Sequence, residues 1–319
     1  MKKLCLIVLC LMVAVSGLVF ARGSSQGGAS GATYIPLVSK GFQHQFWQAV
    51  KQGADNAARD LGIEITFEGP ESESQVDKQI EMLQTAMGKN PAALGFAALD
   101  SRAAIPLLQQ AKDRNIPVIA FDSGVDSDIP LTTVTTDNKA AAALAADKMA
   151  EAIGGSGKVA LIVHDQTSRT GIDRRDGFLE QMKKYPNIQV LETQYGGGDH
   201  LRSTEIAKAV INGNSDLKGY YGANEGSAIG VVNAVNELGL AGKIVVIGFD
   251  SGKLQLDAIK SGLMYGAVQQ NPVLMGYKTV ESAVKALKGE SLPKIVDSGF
   301  LWADKSNLTN PDVAAVIYE

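Results

Sequence analysis

Two aspartates open the same triplet. Asp122 and Asp250 each begin Asp-Ser-Gly, and each follows an apolar run, 116–121 and 244–249. Carboxylates placed this way can move protons in general acid–base work, or accept paired hydrogen bonds from neighbouring hydroxyls. Polar residues gather after other apolar runs too: "SKGFQHQFW" after 33–38, "HDQTSRTGIDRR" after 159–163, "GGGDHLR" after 188–195, "ANEGS" after 219–222 and "QQN" after 265–268. Together they offer carboxylates, amides, arginines and aromatic rings. Such a set suits an uncharged polyol. Asp and Asn pair with adjacent hydroxyls, Arg donates to ring or hydroxyl oxygens, and aromatic faces cover the C–H faces of a sugar ring. A second reading of Asp122, Asn224 and Asp250 is helix capping, since each precedes a possible helix.

Enzymatic readings find less support. Asp122 with Asp250 has the composition of a glycosidase pair, and His164-Asp165 that of an acid–base pair. Yet the chain holds no GxSxG, HExxH or GxxxxGK[ST], and no clear GxGxxG after its first strand. His164 ends an apolar run and reads as a hydrogen-bonded structural histidine. Three histidines in all, and cysteines only at 5 and 10, leave few ligands for a metal. No cofactor is expected.

The elements that must position these residues alternate. Strand-like runs at 33–38, 63–69, 92–99, 116–121, 158–164, 188–195, 217–224, 243–250 and 264–271 are separated by helix-like stretches. In the first of those stretches, Phe46, Val50, Ala54, Ala57 and Ala58 recur at helical spacing, and Gly62 stops it. Strand–helix alternation implies parallel sheets covered on both faces. About ten strands in 319 residues fit two cores better than one. In such sheets ligands bind beyond the carboxyl ends of the strands, which is where the polar residues lie.

In this order and at these intervals, "FWQAVKQGA", "NIPVIAFDSG", "VTTDN", "IDRRDGF", "GANEGSAIGVVNA", "VVIGFDSG" and "AVQQNP" resemble the type 1 periplasmic sugar-binding proteins, ribose-binding branch, which deliver solute to ABC transporters. The resemblance runs from about residue 33 to 300. It implies an α/β fold of two similar doubly wound parallel-sheet lobes joined by a three-segment hinge. The lobes would be 33–136 with 270–298, and 137–269 with 299–319, crossing near 136–138, 269–272 and 297–300. It implies Phe46 and Trp47 as two aromatics that sandwich a sugar, with His44 at a neighbouring polar position. It implies Asp122 and Asp250 as carboxylates, Asn224 as an amide contact and Gln270 at the hinge edge of the cleft, and it sets His200 where the branch has an aromatic.

The pattern departs in two places. Ser123 and Ile172 stand where the ribose-binding branch has arginines. Arg169 is the nearest substitute, and Arg174 reads as structural. The resemblance further implies a monosaccharide ligand, a permease partner, a monomer and no turnover. A sensor role beside a chemoreceptor or sensor kinase is compatible with it.

Composition agrees. The chain is 45% hydrophobic and 20% charged, with a formal net charge of -4, which argues against a nucleic-acid binder. A transcriptional regulator of related fold would need an N-terminal DNA-binding module. Here Lys2 and Lys3 precede an apolar stretch ending in "VFA" at 19–21, which reads as a secretory signal peptide over residues 1–21. Residues 22–32, "RGSSQGGASGA", read as a flexible Gly/Ser linker. Both cysteines fall inside the apolar stretch, so the exported chain would carry no disulfide. Its location would be periplasmic or extracytoplasmic.

Overall fold

The structure, a computed structural model, describes residues 33–319; the signal-peptide and linker readings fall outside the described residues. In chain order its elements are β1 (Tyr34–Val38), α1 (Gln45–Leu61), β2 (Glu64–Glu68), α2 (Val76–Gly88), β3 (Leu94–Phe96), α3 (Ile105–Asp113), β4 (Val118–Phe121) and β5 (Thr132–Thr135). There follow α4 (Asn138–Ala152), β6 (Gly157–Val163), α5 (Arg169–Met182), β7 (Ile188–Val190), β8 (Gln194–Tyr195), α6 (His200–Gly213), β9 (Leu217–Gly222), α7 (Glu225–Glu237), β10 (Val245–Phe249), α8 (Lys253–Ser261) and β11 (Gly266–Gln270). The chain closes with α9 (Pro272–Leu287), β12 (Ile295–Asp297), β13 (Phe300–Asp304) and α10 (Pro311–Ala314).

Two sheets result. The first runs β12-β5-β4-β3-β1-β2, and the second β13-β11-β10-β9-β6-β7 with β8 also on β6. Every pairing is parallel except β11 with β13. The chain moves between sheets three times: after β5, where α4 packs on the second sheet; after β11, where α9 packs on α1 and β4; and between β12 and β13. At these passages Thr136 Oγ1 donates to Gln270 Oε1 at 2.8 Å and lies 3.1 Å from Ser298 Oγ, so side chains of all three segments are tied together.

The central strands are largely apolar, as strands covered on both faces must be. Ile35 and Leu37 of β1, Ile119 and Phe121 of β4, and Val159, Leu161 and Val163 of β6 are all buried. In the first lobe the helices α1 and α9 approach backbone to backbone. A Cβ added to Gly53 would overlap the Val273 carbonyl, and one on Gly276 would overlap that of Val50. The small side chains of α1 lay its Phe46, Val50, Ala54 and Ala57 against β1 and β4 in one core cluster.

Some elements differ from the sequence reading. The run 92–99 yields only a three-residue strand, and 188–195 breaks into β7 and β8. The strands β5, β12 and β13 were not expected. Thr-Thr-Val-Thr carries little apolar signal, and β12 is an edge strand whose Ile295 and Asp297 face solvent.

Candidate functional site

The carboxyl ends of both sheets meet at one cleft, whose empty space is roughly 270 Å³ including the part open to solvent. Lys40, His44, Phe46, Trp47, Glu73 and Asp122 line it from the first lobe. His164, Thr170, Arg174, Asn224 and Asp250 line it from the second, and Gln270 from the passage between them.

The two Asp-Ser-Gly triplets build matching corners. Asp122 and Asp250 both hold a left-handed backbone, φ 53 and 78, which few non-glycine residues adopt outside tight turns and functional sites. Each donates its N–H to a valine of the neighbouring strand, Val134 at 2.9 Å and Val268 at 2.8 Å. Neither is the residue that precedes and caps a helix, Gly252 standing before α8, though Asp250 accepts from the first N–H of α7. Asn224 does cap one, its Oδ1 accepting from Ser227 N at 3.0 Å at the start of α7, and it lines the cavity as well.

Partners distinguish the carboxylates. Asp250 accepts from Gln270 Nε2 at 2.6 Å and from Glu225 N at 3.0 Å, with Arg174 3.8 Å away. Glu73 accepts from Trp47 Nε1 at 2.7 Å. Among the described residues nothing hydrogen-bonds to the Asp122 carboxylate; its nearest charge is Lys40 Nζ at 4.0 Å. Burial pushes Asp122 up to about 6, against the pull of Lys40 and Arg174. Burial would raise Glu73 too, but its carboxyl lies below the ordinary value, with Lys40 and the hydrogen bond from Trp47 opposing the burial.

His44 is neutral, its pKa lowered by burial despite Glu73. Its tautomer follows from Gln43. Glu73 N, an obligate donor, points at Gln43 Oε1 at 3.3 Å, and Gly198 O, an obligate acceptor, lies 3.2 Å from Gln43 Nε2. Two backbone groups of fixed polarity thus set the amide orientation. The same Nε2 lies 3.0 Å from His44 Nε2, which must accept, so Nδ1 carries the hydrogen. His164 is buried and its pKa lies well below the ordinary value, from burial and then Lys40. Its Nε2 lies 3.1 Å from Thr170 Oγ1, which also accepts from Lys40 Nζ at 3.2 Å across the lobes. The expected structural histidine is hydrogen-bonded and also lines the cavity.

The expectations need three corrections. Phe46 and Trp47 lie on the wall, but their rings meet edge to face, 5.0 Å apart at 81°. Consecutive residues of a helix point about 100° apart, so they form a corner rather than two plates enclosing a ring. Arg169, the first residue of α5, lies outside the cavity, pairing with Asp173 at 2.9 Å and Asp126 at 3.6 Å. Arg174 lines the cavity instead. It is buried, donates from Nε to Asn138 Oδ1 at 2.8 Å and from a terminal nitrogen to Ala223 O at 2.9 Å, and its guanidinium sits 3.8 Å over the Phe249 ring. His200 is exposed in the first turn of α6 and does not line the cavity.

Sequence reasoning missed Lys40, Glu73, Thr170 and the cavity role of Arg174. Lys40 stood inside a strand-exit segment already noted. Glu73 follows β2, whose exit "GPESE" obeys the same rule. Among the described residues no cluster of His, Cys, Asp and Glu could hold a metal ion. The cavity presents two cations against three carboxylates, with both histidines neutral, so it makes no demand for a charged ligand.

Residues 35–291 match the model of the periplasmic binding protein domain family. The D-allose-binding periplasmic protein of Escherichia coli (strain K12) is 29% identical over 286 residues, 85% of this chain and 92% of that protein. An ABC transporter solute-binding protein from Agrobacterium vitis, bound with alpha-D-tagatopyranose, is 34% identical with a TM-score of 0.87, covering 90% of this chain and 99% of that one. A carbohydrate transporter solute-binding protein from Agrobacterium radiobacter, in complex with D-arabinose, is also 34% identical with a TM-score of 0.87, covering 91% and 100%.

Proposed function

This chain belongs to the periplasmic binding protein family, and from that premise we propose that it captures an uncharged monosaccharide between its lobes and presents it to the membrane permease of an ABC transporter. The observation that carries this reading is the cavity: one small space whose donors and acceptors come from both lobes and whose charges nearly cancel. Asp122 accepts from ligand hydroxyls, since its carboxylate has no other hydrogen-bond donor among the described residues. Lys40 has one hydrogen-bond acceptor, Thr170, and two further hydrogens to offer. His44 adds a donor through Nδ1, and the corner of Phe46 and Trp47 covers C–H surface.

The polar groups among these are buried in the cleft, so a hydroxyl that fails to meet its partner leaves a buried group unsatisfied. That is how a closed cleft distinguishes sugars differing at one carbon. The apolar leader at 1–21 fits an exported protein, and no described helix is long and apolar enough to cross a membrane. Binding proceeds without turnover, since the role needs the ligand intact.

A thermal-shift screen over pentoses, hexoses, deoxysugars and polyols tests this, followed by calorimetry and product analysis. A ligand that binds only the folded state raises the melting temperature. A sugar that stabilises the protein and is recovered unchanged is the expected result. No shift with any sugar, or a new product, overturns the reading.

A further inference from the structure

The starts of α1 and α8 have no caps of their own. His44 precedes α1 without bonding to it through its side chain, and Gly252, which precedes α8, has no side chain to offer. Such starts leave the N–H groups of the first turn without partners inside the helix. Here the opposite lobe supplies them. Gln45 N and Phe46 N donate to the two oxygens of Glu225, each at 3.1 Å. Glu225 is the buried first residue of α7, in the second lobe. In return Gln45 Oε1 accepts from Lys253 N, at the start of α8, at 2.7 Å. The N–H groups of Ser251 and Gly252 donate to the hydroxyl and carbonyl of Tyr318, 3.1 Å each, and the Tyr318 ring meets Phe46 at 62°.

The seam is shaped for this exchange. A Cβ on Gly252 would lie 3.0 Å from Gln45 Oε1 and 3.2 Å from Glu225 Oε1; one on Gly226 would lie 2.8 Å from His44 Cε1. Neither Glu225 nor Gln45 lines the cavity.

We propose that Glu225 and Gln45 are positioning residues that exchange helix caps between the lobes and so set sugar affinity without touching the sugar. The proposal rests on the cleft being the sugar site. Lobes that part return both helix starts to water. Lobes that meet satisfy them. That stabilisation is the same whichever sugar is enclosed. Apparent affinity scales with the population of the binding-competent form. Weakening the caps therefore lowers affinity for every ligand by one factor and leaves their order unchanged. The caps also hold the first turn of α1, from which Phe46 and Trp47 project.

The test uses Glu225→Gln and Gln45→Ala in the full mature chain. Glu225→Gln keeps the size of the side chain but sets an amide nitrogen against a backbone N–H. Calorimetry is run with D-allose, D-ribose, D-tagatose and D-arabinose. Each variant is expected to bind every sugar that the parent binds about 5- to 30-fold more weakly, the usual worth of a cap. The factor is common to all sugars, and the ligand-free melting temperature is unchanged. Unchanged affinity, or factors that differ more than threefold between sugars, overturns the proposal. Gln45→Ala carries the test alone if Glu225→Gln does not fold. If the parent binds no sugar, the sugar reading fails separately, and amide exchange at Gln45, Phe46 and Lys253 decides: protection lost in Glu225→Gln or Gln45→Ala supports the cap exchange, and equal protection sinks it.

Discussion

Asp122 and Asp250 hold the same left-handed backbone at the ends of two sheets, yet only Asp250 has hydrogen-bonded side-chain company. Gln270 and the Glu225 N–H satisfy Asp250, whereas Asp122 faces the cavity with Lys40 4.0 Å away. Two equivalent corners thus do different work. One is a fixed part of the frame where the chain passes between lobes. The other is an open acceptor.

Asp122→Asn is therefore expected to weaken sugar binding by about 10- to 100-fold, the ~1.5–3 kcal/mol of a hydrogen bond to a charged group. Ligand-free stability should hold or rise. A carboxyl raised to about 6 favours the folded state at low pH, and that contribution is lost as pH rises through 6. Asparagine removes the cost above that point. Calorimetry with melts at pH 5 and 7.5 checks both halves; a variant of full affinity would remove Asp122 from the site.

The two arginines should separate cleanly. Arg169 forms ion pairs on a partly exposed rim, which contribute ~0–1 kcal/mol, so Arg169→Ala should change affinity less than about threefold. Arg174→Lys keeps the charge but loses the fork that reaches Asn138 and the Ala223 carbonyl together. Its affinity should fall at least about tenfold by the worth of one such bond. The reverse order in a binding titration would restore Arg169 to the site.

Sugar binding should take up a proton near neutral pH. Burial, then Asp250, push Glu225 up to about 8, with Glu73 adding to the rise and the N–H groups of Gln45 and Phe46 opposing it. A glutamate exposed by parted lobes returns to the ordinary value near 4.5. Between those values the closed form holds more protons, so closure is favoured at lower pH and weakens as pH rises through 8. Calorimetry in two buffers of different ionisation enthalpy, at pH 7, should show uptake that Glu225→Gln abolishes. Equal enthalpies in the two buffers would count against it.

Trp47 should report the ligand. It is buried on the cavity wall with Nε1 held by Glu73, while Trp302 sits on β13 in the second lobe near Lys148. In a Trp302→Phe background, sugar should change the emission of Trp47. Glu73→Gln should shift the ligand-free spectrum, because a charged acceptor at 2.7 Å becomes neutral. An emission unmoved by saturating sugar would place Trp47 away from the ligand.

Much of the frame was legible because parallel sheets write themselves as apolar runs. Central strands such as β4, and β6 from Val159 onward, are buried and stand out. Edge strands do not: β12 is short and largely exposed, and β5 alternates threonines with one valine. The rule that ligands lie beyond strand ends picked out the segments that hold Asp122, Asn224, Asp250 and His44, all of which line the cavity. It could not choose between Arg169 and Arg174. That choice depends on which way a helix turns after its first residue, and five positions along α5 carry the side chain from the rim to the interior. Glu73 escaped for another reason. Its loop leaves β2, and nothing local shows that it folds back over Trp47.

The cleft is walled by both lobes at once, so a molecule too bulky to be enclosed is expected to act as an antagonist. A disaccharide offers the hydroxyl pattern of one ring and the bulk of two. One ring could meet Asp122 while the other held the lobes apart, and with them contacts such as the 2.7 Å hydrogen bond from Lys253 N to Gln45. Such a molecule would compete with a monosaccharide, bound on one side and never enclosed.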